Sequence, residues 1–462
     1  MVGSKHFIRF LTGVSIAALF LTVSTRAFAA VPGMIRVALV RQADSLSFKT
    51  TGSYQLVDRS NNKVITVLRP GETYRVFTVN GRIALQQQGK PEILGPFGQS
   101  VLVREGAFAA TVVSAGGKKT EVDSAGELIA LTGAGTKVNL ADRDRVVALG
   151  AAGAATLPGG GGLSLFSLDS GTGFKRYRGS LELCPGNGKL AAVDILPVED
   201  YLRGVVPCEM PASWPLEALK AQAVAARNYA LKQAEVSRGG SYDVVNDQYS
   251  QVYGGYDAED PATNRAVDET RGMVMLCQGT FVDAFFHSSS GGRTENSEDV
   301  WREPLPYIRW KDDPYDKNDR HYNWQVTYTA DQLREQLNSA GYPYQTVTEI
   351  EELARTGSGA RIEKIAVAGT GKDGKTLRQT IGNADSVRIA LGLKGAPFAM
   401  EKTKDRDKKL VRVTFKGSGY GHGLGMSQWG ASGMAKAGYN YQDILKYYYT
   451  GISLVPGYGR GS

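Results

Sequence analysis

The sequence predicts an α+β protein: a strand-rich domain around a buried, alanine-rich helix, preceded by a small β-domain. Three observations predict it. The 462 residues include 56 glycines, too many for a helical bundle. Residues 34–147 break into short β-branched or alternating runs separated by turn residues. The stretch Leu216 to Ala234 carries Ala218, Ala221, Ala223, Ala225 and Ala226, small side chains that let other backbone approach from several sides. With 42% hydrophobic and 22% charged residues, the chain has room for two or more ordinary globular domains.

The chain opens with Lys5, His6 and Arg9, an apolar run from Phe10 to Val23, and the small-x-small pattern Ala27-Phe28-Ala29. That order predicts a secretory signal peptide over residues 1–29. The apolar run falls short of the ~20 residues of a spanning helix. The expectation is therefore an exported protein of the periplasm or cell wall, held in the membrane only if the signal stays uncleaved. Removing residues 1–29 takes away Lys5, Arg9 and Arg26 and no acid, so the net charge falls from +8 to +5. Such a mild excess carries no strong argument about partners. Basic patches interleaved with aromatics are absent, so nucleic acid is not expected as a partner.

Within residues 31–147, the runs Met34 to Val40, Tyr54 to Val57, Lys63 to Leu68, Thr73 to Val79 and Ser100 to Val103 are expected strands of the first β-domain. Residues 148–164 are glycine- and alanine-rich and predict a linker. A second domain is expected over 165–455. It starts with a hairpin, Gly179 to Leu183 and Leu190 to Ile195, followed by a helix over Val198 to Val205 and a turn at Pro207 to Pro211. Ser213 is expected to cap the next helix, with Pro215 in its first turn. Further strands are expected at Met273 to Leu276, Thr280 to Phe285, Ile362 to Val367, Leu377 to Ile381 and Leu410 to Phe415. Helices are expected at Ala330 to Ala340, Ala384 to Leu391, Met426 to Ala437 and Tyr441 to Tyr449.

Three segments can carry chemistry. Glu209 lies between Pro207 and Pro211 just ahead of the alanine-rich helix, where restricted backbone suits a proton-transfer group. Phe286-His287-Ser288-Ser289-Ser290-Gly291-Gly292 offers a histidine and hydroxyls to a polar ligand. A Ser-His-Asp hydrolase is disfavoured, because no G-x-S-x-G motif stands there. In Gly417 to Gln428, glycines surround His422 and suggest a close backbone approach that presents this histidine to a cleft. The same run resembles a dinucleotide loop only superficially, since no βαβ unit accompanies it. His287, His422 and Glu209 would make a ligand set if they met, but their spacing carries no zinc signature. The expectation is no metal and no cofactor. Cys184, Cys208 and Cys277 allow one disulfide outside the cytoplasm without fixing which two pair, and Cys208 is read as structural.

These segments together resemble the SpoIID/LytB domain family, the stage II sporulation protein D and amidase-enhancer proteins. The likeness rests on Leu196-Pro197-Val198-Glu199-Asp200-Tyr201-Leu202-Arg203-Gly204-Val205-Val206 with Glu209-Met210-Pro211, and on Glu217 to Tyr229. It continues through Ser250-Gln251-Val252-Tyr253-Gly254-Gly255, the Phe286 to Gly292 turn, and Gly421-His422-Gly423-Leu424-Gly425-Met426-Ser427-Gln428, on to Gly451. It covers about residues 165–455.

The resemblance implies a lytic transglycosylase that cuts peptide-stripped peptidoglycan glycan strands and leaves 1,6-anhydro-N-acetylmuramic acid ends. It implies Glu209 of the E-M-P motif as the acid and base, and Gln251, Tyr253, His287, Ser288, His422 and Gln428 as residues lining the glycan cleft. Pro207, Met210 and Pro211 would raise the Glu209 pKa by desolvation. The zinc scheme of some family members uses cysteines after the serine turn, where this chain has Arg293 and no cysteine. Other members stimulate a partner amidase, so the alternative expectation is a wall-binding protein without bond-breaking of its own.

Overall fold

The computed structural model describes residues 33–52, 54–98, 100–106, 163–186, 188–301 and 303–458, with the backbone of six short strands between 108 and 157. The expected signal peptide lies outside the described residues. Among these residues the fold is mixed α+β, and no helix is long and apolar enough to cross a membrane.

Two antiparallel-rich sheets build the first half. In one, seven strands run in the spatial order Val244–Val245, Met34–Ala43, Lys189–Pro197, Ser180–Gly186, Val101–Glu105, Tyr54–Asp58, Lys63–Leu68. In the other, six strands run Phe174–Tyr177, Leu165–Asp169, Ser45–Thr51, Thr73–Val79, Arg82–Gln87, Ile93–Phe97. Alternate side chains such as Ile35, Val37, Phe48, Leu56, Val76, Leu85, Phe166 and Leu183 enter a shared core, which is what period-2 patterning demands.

Both sheets mix strands from before and after the expected 148–164 linker. Met34–Ala43 pairs with Lys189–Pro197 from Met34 opposite Pro197 to Ala43 opposite Leu190. The strands of 34–105 therefore do not form a sheet separate from those that follow 165. Much of the segment expected as a linker is itself paired, Val146–Gly150 running antiparallel to Gly153–Leu157.

Eight helices are described: α1 (Val198–Glu209), α2 (Leu216–Val236), α3 (Pro261–Glu269), α4 (Ser297–Trp301), α5 (Ala330–Ser339), α6 (Ala384–Ala390), α7 (Gln428–Lys436) and α8 (Tyr441–Tyr448). α2 is the central one. Its Ala218, Ala221, Ala223, Ala225, Ala226 and Ala230 are fully buried, some against the sheet core and others in a second core with Met434, Ile444 and Tyr448 of α7 and α8. A third core gathers the strands Trp324–Thr329, Thr346–Arg355, Ile362–Thr370, Phe398–Lys404 and Leu410–Gly417 with α5.

Several expectations need correction. The turn expected at Pro207 to Pro211 is partly helix, because α1 runs through Pro207 to Glu209. Pro207 has no N–H to give to the Arg203 carbonyl, so the last turn of α1 is one hydrogen bond short. Ser213 does not cap α2, whose N-cap is Pro215 without a side-chain hydrogen bond. The helix expected from Met426 begins at Gln428, since Met426–Ser427 pairs in parallel with Phe286–His287. All three cysteines are free thiols.

Candidate active site

The strand Lys189–Pro197 leads straight into α1, and Glu209 is the last residue of that helix. A carboxylate at a helix C-terminus faces the negative end of the macrodipole. Burial raises the Glu209 pKa, while the Val252 N–H and the Gln428 amide pull it back. Both bonds are long: Val252 N–H donates to Oε1 at 3.2 Å and Gln428 Nε2 to Oε2 at 3.4 Å. Glu209 is thus a half-buried carboxyl that is loosely held and biased towards its protonated form.

It opens into a cleft of about 630 Å³ lined by Glu209, Pro211, Ser213, Trp214, Ser288, Asp319, Arg320, His321, Tyr420, Gln428 and Trp429. Trp214 and Trp429 meet edge to face with centroids 4.9 Å apart, and Tyr420 lies over His321 at 5.1 Å. Aromatic faces of this kind suit the apolar sides of sugar rings. Asp319 is a second carboxylate, but it is buried and its Oδ2 accepts the Ser289 hydroxyl.

Backbone pairing assembles the wall opposite α1. Phe286–His287 runs beside Met426–Ser427, and Trp429 N–H donates to the Ser288 carbonyl at 3.0 Å. Ser427 Oγ caps α7 through the Gly430 N–H at 3.0 Å, which fixes Gln428 at the first helical position. Gly425 is required here: its φ is +67°, and a Cβ would lie 2.0 Å from the Phe285 carbonyl oxygen. Beneath the turn, buried Arg361 pairs with Glu295 at 3.4 Å and donates to the Ser290, Arg293 and Thr294 carbonyls at 3.1, 2.8 and 3.2 Å.

Of the expected site residues, Glu209, Ser288 and Gln428 line the cleft. The others do not. Gln251 is buried and accepts the Tyr201 hydroxyl at 3.2 Å, and Tyr253 is buried with its hydroxyl on Asp194 at 3.0 Å. His287 is buried and its Nδ1–H donates to the Leu424 carbonyl at 3.0 Å. His422 is not presented to the cleft. Its Nδ1 accepts the Leu424 N–H at 3.0 Å, so the proton sits on Nε2 and is donated to the Phe286 carbonyl at 3.0 Å.

Burial drives both imidazoles towards their neutral forms, His287 well below the usual range and His422 down to about 4. Their rings lie 5.4 Å apart, and His422 also packs 4.8 Å from Trp301. The serine turn makes no catalytic dyad: Ser289 bonds Asp319, and Ser290 bonds Asp313 and Asp316 at 3.0 and 2.9 Å. Burial, foremost, and the Glu209 charge push the Cys208 thiol up, away from a nucleophilic thiolate. Among the described residues no three His, Cys, Asp or Glu side chains are grouped to hold a metal ion.

Sequence reading missed Trp214, Trp429, Tyr420, Asp319, Arg320 and His321. They come from segments far apart in the chain; Tyr420 lies within the glycine-rich run Gly417 to Gln428 and Trp429 just after it, but that run draws attention to His422, and the others stand in no pattern that marks them.

Known proteins match much of the chain that builds this cleft. A family model described as stage II sporulation protein (SpoIID) matches residues 186–276, and a domain of unknown function (DUF8618) matches residues 296–425. The stage II sporulation protein D of Bacillus subtilis is 32% identical over 57% of this chain and 76% of its own length. An uncharacterized protein of Brachyspira hyodysenteriae is 34% identical over 60% of this chain and 72% of its own. The amidase enhancer of Bacillus subtilis is 34% identical over 55% of this chain, but the match spans only 40% of that longer protein. The E-M-P glutamate, the alanine-rich helix and the glycine-rich turn thus come together in a chain that belongs to the SpoIID/LytB family.

Proposed function

We propose that this protein acts at the bacterial cell wall as a lytic transglycosylase on peptide-stripped glycan strands. The observation that carries the reading is Glu209, half-buried with a raised pKa and facing an aromatic-walled cleft. In its acid form Glu209 gives its proton to the glycosidic oxygen as the bond from C1 breaks. The resulting carboxylate then takes the proton of the muramyl C6 hydroxyl, whose oxygen closes onto C1. The products are a 1,6-anhydro end and a free hydroxyl on the leaving sugar, and Glu209 ends protonated as it began. Glycosidases that hydrolyse need a second carboxylate for water or a nucleophile. The internal hydroxyl leaves no such task for Asp319.

Export by residues 1–29 to the periplasm or cell wall completes the proposal. Glycan strands, together with wall hydrolases or amidases, are the partners it implies. The name of the amidase-enhancer relative favours one other reading, a wall-binding protein that stimulates an amidase without cutting glycan. Incubating the mature protein with peptide-stripped glycan and reading the products by mass spectrometry separates the two. Anhydro-muramyl ends are expected with the native protein and not with Glu209→Gln. Reducing ends, or no cleavage alongside a faster partner amidase, would overturn the lyase reading.

A further inference from the structure

The cleft also carries a group of cationic and basic side chains that the cleavage chemistry does not use. Arg320 is exposed and lines the cleft with half-buried His321. Arg320 Nε lies 3.2 Å from His321 Nε2, and Lys394 Nζ lies 3.1 Å from His321 Nδ1. The backbone builds this arrangement. Gly419 N–H donates to the His321 carbonyl at 3.0 Å, and Gly421 N–H to the Lys394 carbonyl at 2.8 Å. Both residues are therefore fixed to the turn that leads to Gln428.

The group has more donors than acceptors. A neutral imidazole accepts at one nitrogen only, yet a guanidinium faces one nitrogen and an ammonium the other. Several other basic residues of this half carry carboxylate partners: Arg293 with Asp312, Arg309 with Glu298, Arg388 with Asp385, Arg361 with Glu295. Among the described residues, the hydrogen bonds of the Arg320 and Lys394 side chains go to His321. The acid whose charge acts on His321 is buried Asp319, and its Oδ2 is engaged by Ser289. In either tautomer the imidazole has one acceptor nitrogen for these two donors, so one of the two cations is left without its hydrogen bond. Among the described residues, the exposed Arg320 guanidinium at the cleft has no carboxylate partner.

We propose that the Arg320 guanidinium binds a carboxylate of the glycan, the free lactyl carboxylate of a muramyl residue, with His321 and Lys394 as positioning residues that hold it at the cleft. This rests on the glycan reading of the cleft. Where a stem peptide is attached, that carboxyl is a neutral amide, which neither completes the charge-assisted bonds nor leaves the space. The subsite selects peptide-stripped strands by charge.

The test is calorimetric binding to full-length Glu209→Gln protein, which removes turnover from the measurement. The probes are an N-acetylglucosamine/N-acetylmuramic acid tetrasaccharide with free lactyl carboxylates, the same compound as methylamides, and its peptide-bearing form. The free acid is expected to bind at least tenfold tighter than the methylamide, about 1.4 kcal/mol. Adding Arg320→Gln should cut that ratio below about threefold. Arg320→Lys should restore part of it, and Lys394→Met should lower it partly. Lys372→Gln, a remote exposed charge, controls for net charge and should leave the ratio alone.

Equal binding of acid and methylamide, or binding of neither, overturns the proposal. Peptide-bearing ligand binding as tightly as the free acid reassigns the carboxylate to the peptide and overturns the lactyl assignment. The wider reading fails separately. A carboxylate preference without anhydro products from the native protein keeps the subsite and removes the lyase.

Discussion

Two regions of the cleft wall are equally prominent in the sequence and do opposite work. Around Glu209, the carboxyl makes two long hydrogen bonds, faces open volume and has a raised pKa. In the glycine-rich turn opposite, both nitrogens of His422 and one of His287 are bonded to backbone at 3.0 Å, and the rings are held neutral. The loosely held group is the one free to exchange protons. The tightly bonded histidines shape the wall on which Gln428 and Trp429 stand. The proposed acid is thus the group with long, loose hydrogen bonds, in contrast to His422, whose two nitrogens are both engaged.

The most severe way to break this contrast is Glu209→Gln. It should lower the rate of anhydro-end formation roughly 10²- to 10⁴-fold while the protein stays folded. Because burial disfavours the carboxylate, the amide should also raise stability at neutral pH by about 1 kcal/mol. Thermal melts beside turnover assays check both. A variant that is equally active would move the acid elsewhere in the cleft.

On the opposite wall the expected losses fall on folding. Gly425→Ala forces a Cβ against the Phe285 carbonyl at a positive φ, at a cost of roughly 3 kcal/mol or more. His422→Ala strands the Phe286 carbonyl and the Leu424 N–H, at about 2–4 kcal/mol. Denaturant unfolding measures both. The folded fraction of His422→Ala should keep its rate within about threefold, since His422 is not among the residues lining the cleft. Loss of turnover at undiminished stability would make His422 a site residue and erase the contrast.

Legibility follows the same division. The alanine spacing of α2 marks its burial, and the E-M-P turn marks Glu209, because both signals are local. Thr346–Arg355 (TVTEIEELAR) is strand despite its helix-forming glutamates, because Ile362–Thr370 pairs along it. Strands such as Ser45–Thr51 and Leu165–Asp169 pair across the break expected at 148–164. No local pattern reports that partnership. The aromatic pair is invisible for a related reason, as Trp214 and Trp429 precede and begin different helices and meet only in the folded chain.

That pair supplies a milder test. Trp429→Ala removes one wall of the cleft and its edge-to-face partner, and glycan affinity should fall about tenfold, the scale of one lost aromatic contact with its buried area. Its effect belongs in KM more than kcat, because stacking holds the sugar before and during the cut. An equal fall in kcat would assign Trp429 to the transition state.

The finest adjustment is Gln428→Ala. The Gln428 amide favours the carboxylate of Glu209, so its loss should raise the Glu209 pKa further. The acid form then persists to higher pH, and the high-pH limb of kcat/KM should move up, with the optimum rate changed only a few-fold. Stability must follow with a definite sign. A carboxyl whose folded pKa exceeds the unfolded value, ordinarily about 4.3, contributes fully below that value and loses the contribution as pH rises through the folded pKa. Gln428→Ala should therefore match the native protein's response to this group in acid and fall slightly below it at neutral pH. In the Glu209→Gln background the same substitution should produce no pH-dependent difference, because the titrating group is gone. A difference that survives there would mean that Gln428 acts through α7 and not through Glu209.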